Sequence, residues 1–215
     1  MPPLRFERFA PEVRAVVWEG EESSEDLLAA LPAGWRGRLP KHDVRVKETL
    51  SARLALLALV PDAAEAGFEK DEFGKPHLNG EGALNFSLTH SHGHAAAIVS
   101  AHACGIDLQL RVEKIVKLRS KFEREDERAF IDRQPDEIAA LHVLWGAKEA
   151  LFKLWGRRDI DWHENLIVFE FELAPGGGAF KGEVRKNGEV IPAKLWFRWV
   201  EDFCLVAAVA DLDNH

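Results

Sequence analysis

A helix with a lysine on its apolar face is the feature that most constrains this chain. Apolar residues recur at three- and four-residue steps from Leu141 to Trp155, the spacing of one helical face. Lys148 falls on or beside that face, where an ammonium group is costly without an anionic partner. Glu149 and Lys153 lie four residues apart and are neighbours on the helix surface. A carboxylate between two ammonium groups suits a metal ion and phosphates, although an ordinary surface Glu–Lys pair gives the same pattern.

The composition is that of a globular protein, with 47% hydrophobic and 30% charged residues. The longest apolar run, residues 54–60, is too short to cross a bilayer, and the first residues lack a signal-peptide pattern. Two cysteines far apart supply no disulfide framework. We therefore expect a reduced, cytoplasmic protein with no membrane partner. The net charge of −8 argues against general nucleic-acid binding.

A predicted helix from about Asp43 to Leu59 carries the first candidate site. A basic run leads into this helix, and only one acidic residue interrupts it. The run is either a solvated surface or a phosphate-binding edge, since the surrounding chain is acidic. Arg53 lies beside apolar neighbours and needs an anionic partner. The basic residues of the run are Arg36, Arg38, Lys41, Arg45 and Lys47.

The segment Gly74-Lys75-Pro76 predicts a tight loop. Gly74 permits unusual dihedral angles, and Pro76 restricts Lys75 to an extended backbone. Such a loop can present backbone groups to a ligand, but most segments of this kind are only turns.

A strand, a turn and a second strand are predicted between Leu84 and Ser100. His90, His92 and His94 would share one face if the first strand continued through them, which invites a zinc interpretation. Gly93 is expected to break the strand, and no Cys, Asp or Glu lies nearby in sequence. A turn that donates hydrogen bonds to phosphate fits better, and a merely structural turn is the third interpretation.

Alternating apolar residues predict a strand within residues 103–110. Asp107 and Gln109 then point to the same side, away from the apolar face. Two oxygen-bearing side chains at this spacing suit a hard cation such as Mg²⁺, while an exposed strand face is the plainer interpretation.

The rest of the chain predicts two helices and an antiparallel sheet. Residues 111–130 predict a charged helix with a basic stripe that either is solvated or docks an acidic partner protein. Asp136 is a good N-cap for the helix that ends near Trp155. Strands are expected at residues 166–173, 180–184, 189–193, 195–200 and 203–210. The stripe consists of Arg111, Lys114, Lys117 and Lys121.

Four motifs in this order resemble the Sfp-type 4′-phosphopantetheinyl transferase superfamily. The resemblance covers roughly residues 40–165, and its most specific part is the last pair of motifs. The motifs are Gly74-Lys75-Pro76, Phe86-Ser87-Leu88-Thr89-His90-Ser91, Gly105-Ile106-Asp107-Leu108, and Trp145-x-x-Lys148-Glu149-Ala150-x-x-Lys153.

The resemblance implies an α+β fold and a reaction. The family fold has two similar α+β halves related by a pseudo-twofold axis, with the ligand cleft between them. Residues 1–101 would form the half on the adenine and 3′-phosphate side of coenzyme A, and residues 102–215 the half with the metal and catalytic motifs. Such enzymes transfer the 4′-phosphopantetheine group of coenzyme A to a serine hydroxyl of an apo acyl or peptidyl carrier protein. They need Mg²⁺ and release 3′,5′-ADP, and a monomer is expected.

The resemblance also implies roles for individual residues. Asp107 and Glu149 would bind the metal, Glu149 would accept the serine proton, and Lys153 would contact the pyrophosphate. Coenzyme A would be bound by Lys75 and Pro76 at the adenine, by Thr89, His90 and Lys148 at the phosphates, and by Arg45 and Arg53 at the 3′-phosphate.

Gln109 departs from the family pattern. Many members carry Glu two residues after the aspartate, whereas this chain keeps an oxygen there but loses a negative charge. We expect the Gln109 amide oxygen or a water to fill that metal position and the metal affinity to be weaker. The departure leaves an alternative, a non-catalytic module on the same fold that binds coenzyme A or a carrier protein. A histidine–zinc hydrolase is the other competing hypothesis.

Overall fold

The computed structural model describes residues 4–37, 39–65, 68–79 and 84–211. The chain divides into two compact units, residues 1–102 and 103–215, one residue beyond the boundary expected from the sequence. Both units combine helices with antiparallel strands, so the predicted α+β class is confirmed. The pseudo-twofold relation and the cleft stay predictions.

The first unit is a four-stranded antiparallel sheet with helix α3 packed on it. The strand order is β1-β2-β6-β5, and β3 and β4 form a separate two-stranded sheet. Leu50, Leu54 and Leu56 of α3 are buried against the sheet. The elements are β1 (Leu4–Ala10), β2 (Val13–Glu19), α1 (Ser24–Ala30), α2 (Ala33–Arg36), α3 (Asp43–Leu59), a 3-10 helix (Pro61–Ala63), β3 (Phe68–Lys70), β4 (Pro76–Leu78), β5 (Asn85–Ser91) and β6 (His94–Ser100).

The second unit packs helix α5 across a five-stranded antiparallel sheet of order β7-β11-β10-β9-β8. The α5 N-cap is Asp136, as predicted, and its side chain accepts from the Ala139 N–H at 3.0 Å. Gly156 ends the helix with φ 79°, a left-handed conformation that glycine adopts without strain. The elements are β7 (Cys104–Leu110), a 3-10 helix (Glu113–Lys121), α4 (Glu125–Ile131), α5 (Glu137–Trp155), β8 (Leu166–Val168), β9 (Gly178–Lys186), β10 (Glu189–Val200) and β11 (Phe203–Ala210).

The single helix predicted over residues 111–130 is wrong. A 3-10 helix ends at Lys121, and Phe122 then turns inward to pack edge-on against Trp145, with ring centroids 5.0 Å apart. The chain restarts as α4, where the Glu127 carboxylate accepts from the Arg124 N–H at 2.9 Å. A buried aromatic contact and a local cap therefore override the continuous helical period.

The strand predicted over residues 166–173 is also wrong beyond Val168. Gln134 binds the following segment, since its Nε2 donates to the Phe171 carbonyl at 2.7 Å. Phe171 is buried and packs against Phe180, with ring centroids 5.0 Å apart. In the same sheet, the two predicted strands at 189–193 and 195–200 form one continuous strand, β10.

Two glycines allow β7 and its neighbour β11 to approach α5 closely. An ideal Cβ on Gly105 of β7 would lie 1.9 Å from the carbonyl oxygen of Ala150. An ideal Cβ on Gly146 of α5 would lie 2.7 Å from Cγ2 of Val206 in β11. Residues 105, 107 and 109 share one face of β7, because successive side chains of a strand point to opposite faces. The packing of Gly105 against α5 therefore places Asp107 and Gln109 toward the helix.

We predict that Gly105→Ala destabilises the protein by about 2–4 kcal/mol, because the added methyl group meets backbone that has no room to relax. Urea unfolding measures the change. Gly176→Ala is the matched control, since nothing lies within 4 Å of its ideal Cβ. Equal stabilities for the two variants would contradict the close approach.

Candidate functional site

Asp107 and Lys153 form an ion pair between β7 and α5. The Lys153 ammonium donates to Asp107 Oδ1 at 3.0 Å and to the Ile106 carbonyl at 2.8 Å. Asp107 is 8% exposed, and Lys153 keeps a quarter of its side chain exposed. The pair therefore sits at the edge of the core with its cation partly open to solvent. A partly open ammonium of this kind can also meet an anionic ligand.

The charges of Asp107 and Lys153 both affect the pKa of the nearby Glu149. Burial, and then the negative charge of Asp107, raise the pKa of Glu149 to about 7, while Lys153 opposes the shift. A carboxylate that titrates near neutral pH can exchange a proton at physiological pH. The structure therefore brings together the three residues expected to be catalytic, Asp107, Glu149 and Lys153, and their catalytic roles stay predictions.

Gln109 contacts Asp107 through its amide nitrogen. Gln109 Nε2 lies 3.2 Å from Asp107 Oδ2 and 3.3 Å from the His142 carbonyl oxygen. Its Oε1 lies 3.0 Å from Nδ1 of His142, which is buried. The amide oxygen expected near a metal ion is thus turned toward His142 instead. Burial lowers the pKa of His142, which favours the neutral ring.

Lys148 has partners other than the predicted phosphates. Its side chain is fully buried, and its ammonium lies 2.7 Å from Glu127 Oε2 and donates to the Trp162 carbonyl at 3.1 Å. Glu127 also accepts from the Val168 N–H at 3.1 Å. Burial raises the pKa of Glu127 and lowers that of Lys148, and their attraction opposes both shifts. The anionic partner that the sequence demanded is Glu127, and the role of Lys148 near the phosphates stays a prediction.

In the first unit, Lys75 and Pro76 lie at the predicted tight turn. Asp71 organises this turn, because its Oδ1 accepts from the N–H groups of Phe73 at 2.9 Å and Lys75 at 2.8 Å. Gly74 has φ 86°, and Pro76 begins β4. These hydrogen bonds account for the turn by themselves, so an adenine pocket stays a prediction.

Thr89 and His90 lie near the end of β5. Thr89 is buried, whereas His90 is exposed and its Nδ1 lies 3.2 Å from Glu48 Oε2 of α3. A protonated His90 would form an ion pair there. Their predicted contact with phosphates stays untested.

The arginines expected at the 3′-phosphate differ in exposure. Arg45 is exposed near the start of α3, where a ligand could reach it. Arg53 is 6% exposed, and its guanidinium donates to the Arg36 carbonyl. The Arg36 carbonyl is thus one partner of the Arg53 guanidinium. Arg38 of the basic run lies outside the described residues.

The histidine–zinc interpretation fails on the geometry of the turn. His92 has φ 48° and Gly93 φ 81°, so the chain reverses at the predicted break and the three histidines do not line one continuous strand. Within residues 4–37, 39–65, 68–79 and 84–211, no group of three His, Cys, Asp or Glu residues could hold a metal ion.

No described helix is both long and apolar enough to cross a membrane.

Two functional neighbours could not be found from the sequence. His142 reads as one more member of a buried helix face, and Glu127 as one of several acidic residues after Arg124. Only the demand of Lys148 for an anion signalled Glu127, without giving its position. Nothing in the sequence signalled His142.

Part of the chain is similar to known proteins. Residues 103–204 match the family described as the 4′-phosphopantetheinyl transferase superfamily. A stretch of 92 residues is 28% identical to a protein named 4′-phosphopantetheinyl transferase gsp, from Aneurinibacillus migulanus. The stretch covers 42% of this chain and 38% of that relative, so well under half of the relative is matched. The resemblance seen in the motifs is thereby confirmed.

We predict that Lys148→Met costs about 3–5 kcal/mol, because it leaves the Glu127 carboxylate buried without its cation. The double variant Lys148→Met/Glu127→Gln should recover most of that loss, since no buried charge remains. Urea unfolding of both variants measures the difference. A double variant as unstable as the single one would contradict the pairing.

Glu149 should make stability depend on pH. Its folded pKa of about 7 lies above the ordinary value of 4.5, so folding takes up a proton between these values and stability falls as pH rises through 7. With both proteins in EDTA, the free energy of unfolding of Glu149→Gln relative to that of wild type should therefore rise by about 1–3 kcal/mol between pH 5 and pH 8. The exposed Glu189→Gln is the control. A gain that does not change with pH would contradict the raised pKa.

Proposed function

We propose that this chain transfers phosphopantetheine, because residues 103–204 match the family described as the 4′-phosphopantetheinyl transferase superfamily. In the proposed reaction, a serine hydroxyl of an apo acyl or peptidyl carrier protein attacks the phosphorus that bears the pantetheine arm of coenzyme A. The bond from that phosphorus to 3′,5′-ADP breaks, and a serine–phosphopantetheine bond forms. The observation that supports this proposal is the cluster of Asp107, Glu149 and Lys153 inside the matched segment.

The cluster suits a hard dication. Two carboxylates come from facing elements, and the charge of Asp107 raises the pKa of Glu149. Carboxylate oxygens are among the ligands that Mg²⁺ prefers in proteins. Asp107 and Glu149 would hold the ion, which when bound neutralises charge on the pyrophosphate.

The chain's own residues supply the remaining chemistry. Glu149 in its carboxylate form accepts the proton of the attacking serine, a task suited to a group that titrates near neutral pH. The Lys153 ammonium, already placed by Asp107 and the Ile106 carbonyl, supplies a fixed positive charge for the pyrophosphate oxygens. Lys148 supports the site from within the core, through its pair with Glu127.

The first unit supplies the proposed contacts to the rest of coenzyme A. Lys75 and Pro76 would contact the adenine from a turn that Asp71 has already ordered. Thr89 and His90 would contact phosphates. Arg45 is the better candidate for the 3′-phosphate, because it is exposed while Arg53 is buried.

Intact-mass spectrometry of apo carrier proteins tests the proposal. After incubation with this protein, coenzyme A and Mg²⁺, we expect a carrier to gain one phosphopantetheine group, and EDTA to prevent the gain. Glu149→Gln and Asp107→Asn should each lower the rate by roughly 10²–10⁴-fold, since each removes a charge at the reacting atoms. Glu189→Gln should keep the wild-type rate.

Coenzyme A binding without any gain of mass, over acyl and peptidyl carriers alike, would contradict the transferase proposal. That result would favour the non-catalytic binding module. Failure to bind coenzyme A at all would contradict both.

The 3-10 helix at Glu113–Lys121 is the proposed docking edge for the carrier protein. Lys114 and Lys117 are exposed, and side chains three residues apart lie above one another on such a helix. Val112 beside them is 41% exposed, which adds an apolar contact. Arg111 of the predicted stripe is bound to Asp136 at 2.6 Å and contributes less free charge.

Reversing this charge should weaken carrier binding alone. For Lys114→Glu/Lys117→Glu, we expect the KM for an acidic carrier to rise about tenfold and the KM for coenzyme A to stay unchanged. Arg14→Glu/Lys181→Glu changes the net charge equally at exposed positions elsewhere and is the control. Equal effects on both substrates would contradict docking at this edge.

A further inference from the structure

A buried histidine of α5 stands behind the proposed metal ligand Asp107. His142 is 1% exposed, and both of its ring nitrogens have polar neighbours. Its Nε2 lies 3.0 Å from the Val112 N–H nitrogen and 3.2 Å from the Val112 carbonyl oxygen. Its Nδ1 lies 3.0 Å from Gln109 Oε1. The ring therefore joins the end of β7 to the helix through specific hydrogen bonds.

The neighbours of Gln109 decide which way its amide points. One end of the amide faces Asp107 Oδ2 at 3.2 Å and the His142 carbonyl at 3.3 Å. Both are acceptors when Asp107 is ionised, so the NH₂ group belongs at that end. A flipped amide would set its oxygen against two other oxygens and leave them without this donor.

This orientation fixes the tautomer of His142. With the Gln109 oxygen toward the ring, Nδ1 must carry the proton and donate it. Nε2 of the neutral ring then accepts from the Val112 N–H. Three hydrogen bonds in series run from Val112 through His142 and Gln109 to Asp107, each with a donor facing an acceptor.

We propose that His142 is a positioning residue that holds Gln109 as a hydrogen-bond donor to Asp107, so that Gln109 orients this ligand and does not bind the metal. The inference rests on the proposed function for the role of Asp107. It replaces the expectation that the Gln109 oxygen, or a water, fills the third metal position. A glutamate at position 109 would instead set a second carboxylate against Asp107.

The proposal gives Gln109 and His142 a role of the kind known for residues behind metal ligands. Such partners orient the ligand and set its basicity, and their loss typically costs 10–100-fold in metal affinity or activity. Asp107 Oδ1 accepts a hydrogen bond from Lys153, and Asp107 Oδ2 accepts one from Gln109, so donors at both oxygens orient the carboxylate. The carboxylate is therefore fixed in place before a ligand arrives.

The tautomer is the direct test, and it needs neither substrate nor activity. Two-bond ¹⁵N–¹H spectra of the metal-free protein should show His142 as the neutral ring protonated at Nδ1. They should also show the Gln109 side-chain amide protons protected from exchange. A ring protonated at Nε2 would overturn the proposal, because Nδ1 would then accept from Gln109 and the amide oxygen would face Asp107.

Substitutions test the positioning role. His142→Asn can place an N–H where Nδ1 lies, while His142→Leu cannot. Mn²⁺ titration followed by water-proton relaxation should show a 10–100-fold weaker affinity for His142→Leu and an affinity within threefold of wild type for His142→Asn. Val143→Ala, a buried neighbour on the same helix, controls for general loosening of the core and should keep the wild-type affinity.

Two outcomes of the titration would overturn the proposal. One is wild-type Mn²⁺ affinity in His142→Leu, and the other is equal loss in His142→Asn and His142→Leu. Failure of the proposed function looks different. The His142 tautomer and the Mn²⁺ series would then stand as predicted, while no carrier protein gains mass from coenzyme A.

Discussion

The close approach of β7 and α5 is the constraint on which the second unit depends. The ideal Cβ position of Gly105 lies 1.9 Å from the Ala150 carbonyl oxygen, a spacing that only a missing side chain permits. With strand and helix at this separation, a short aspartate and a longer lysine meet across it. The distance between the elements therefore determines the residue types that can form the site.

Helix α5 carries two lysines, and their different burial gives them different roles. Lys148 is fully buried and paired with Glu127, so its charge is balanced within the core. Lys153, five residues further along, keeps part of its side chain exposed while it donates to Asp107. Glu149 between them has a raised pKa, because its burial and the charge of Asp107 are only partly offset. Unrelieved charge next to an accessible cation marks the part of α5 suited to an anionic substrate.

Helix α5 could be predicted because its signals are local, whereas the meeting of Asp107 with Glu149 and Lys153 was implied by the family resemblance. Each signal of the helix can be recognised from a few neighbouring residues: the N-cap at Asp136, the helix end at Gly156 and the Glu–Lys spacing. The break at Phe122 and the partner of Lys148 depend on contacts between residues distant in sequence, and periodicity carries no information about them. The orientation of Gln109 was inaccessible for the same reason, since His142 lies 33 residues away. The family resemblance placed Lys148 near the phosphates, whereas its burial and its pairing with Glu127 could be seen only in the structure.

The proposed chemistry depends on Asp107 and Glu149 placing a dication at the pyrophosphate of coenzyme A. Paramagnetic broadening of the coenzyme A ³¹P resonances by Mn²⁺ tests this placement most directly. In the presence of the wild-type protein, we predict stronger broadening of the two pyrophosphate signals than of the 3′-phosphate signal. Asp107→Asn should abolish that difference. Broadening that is equal at all three phosphates, or unchanged in Asp107→Asn, would contradict the placement.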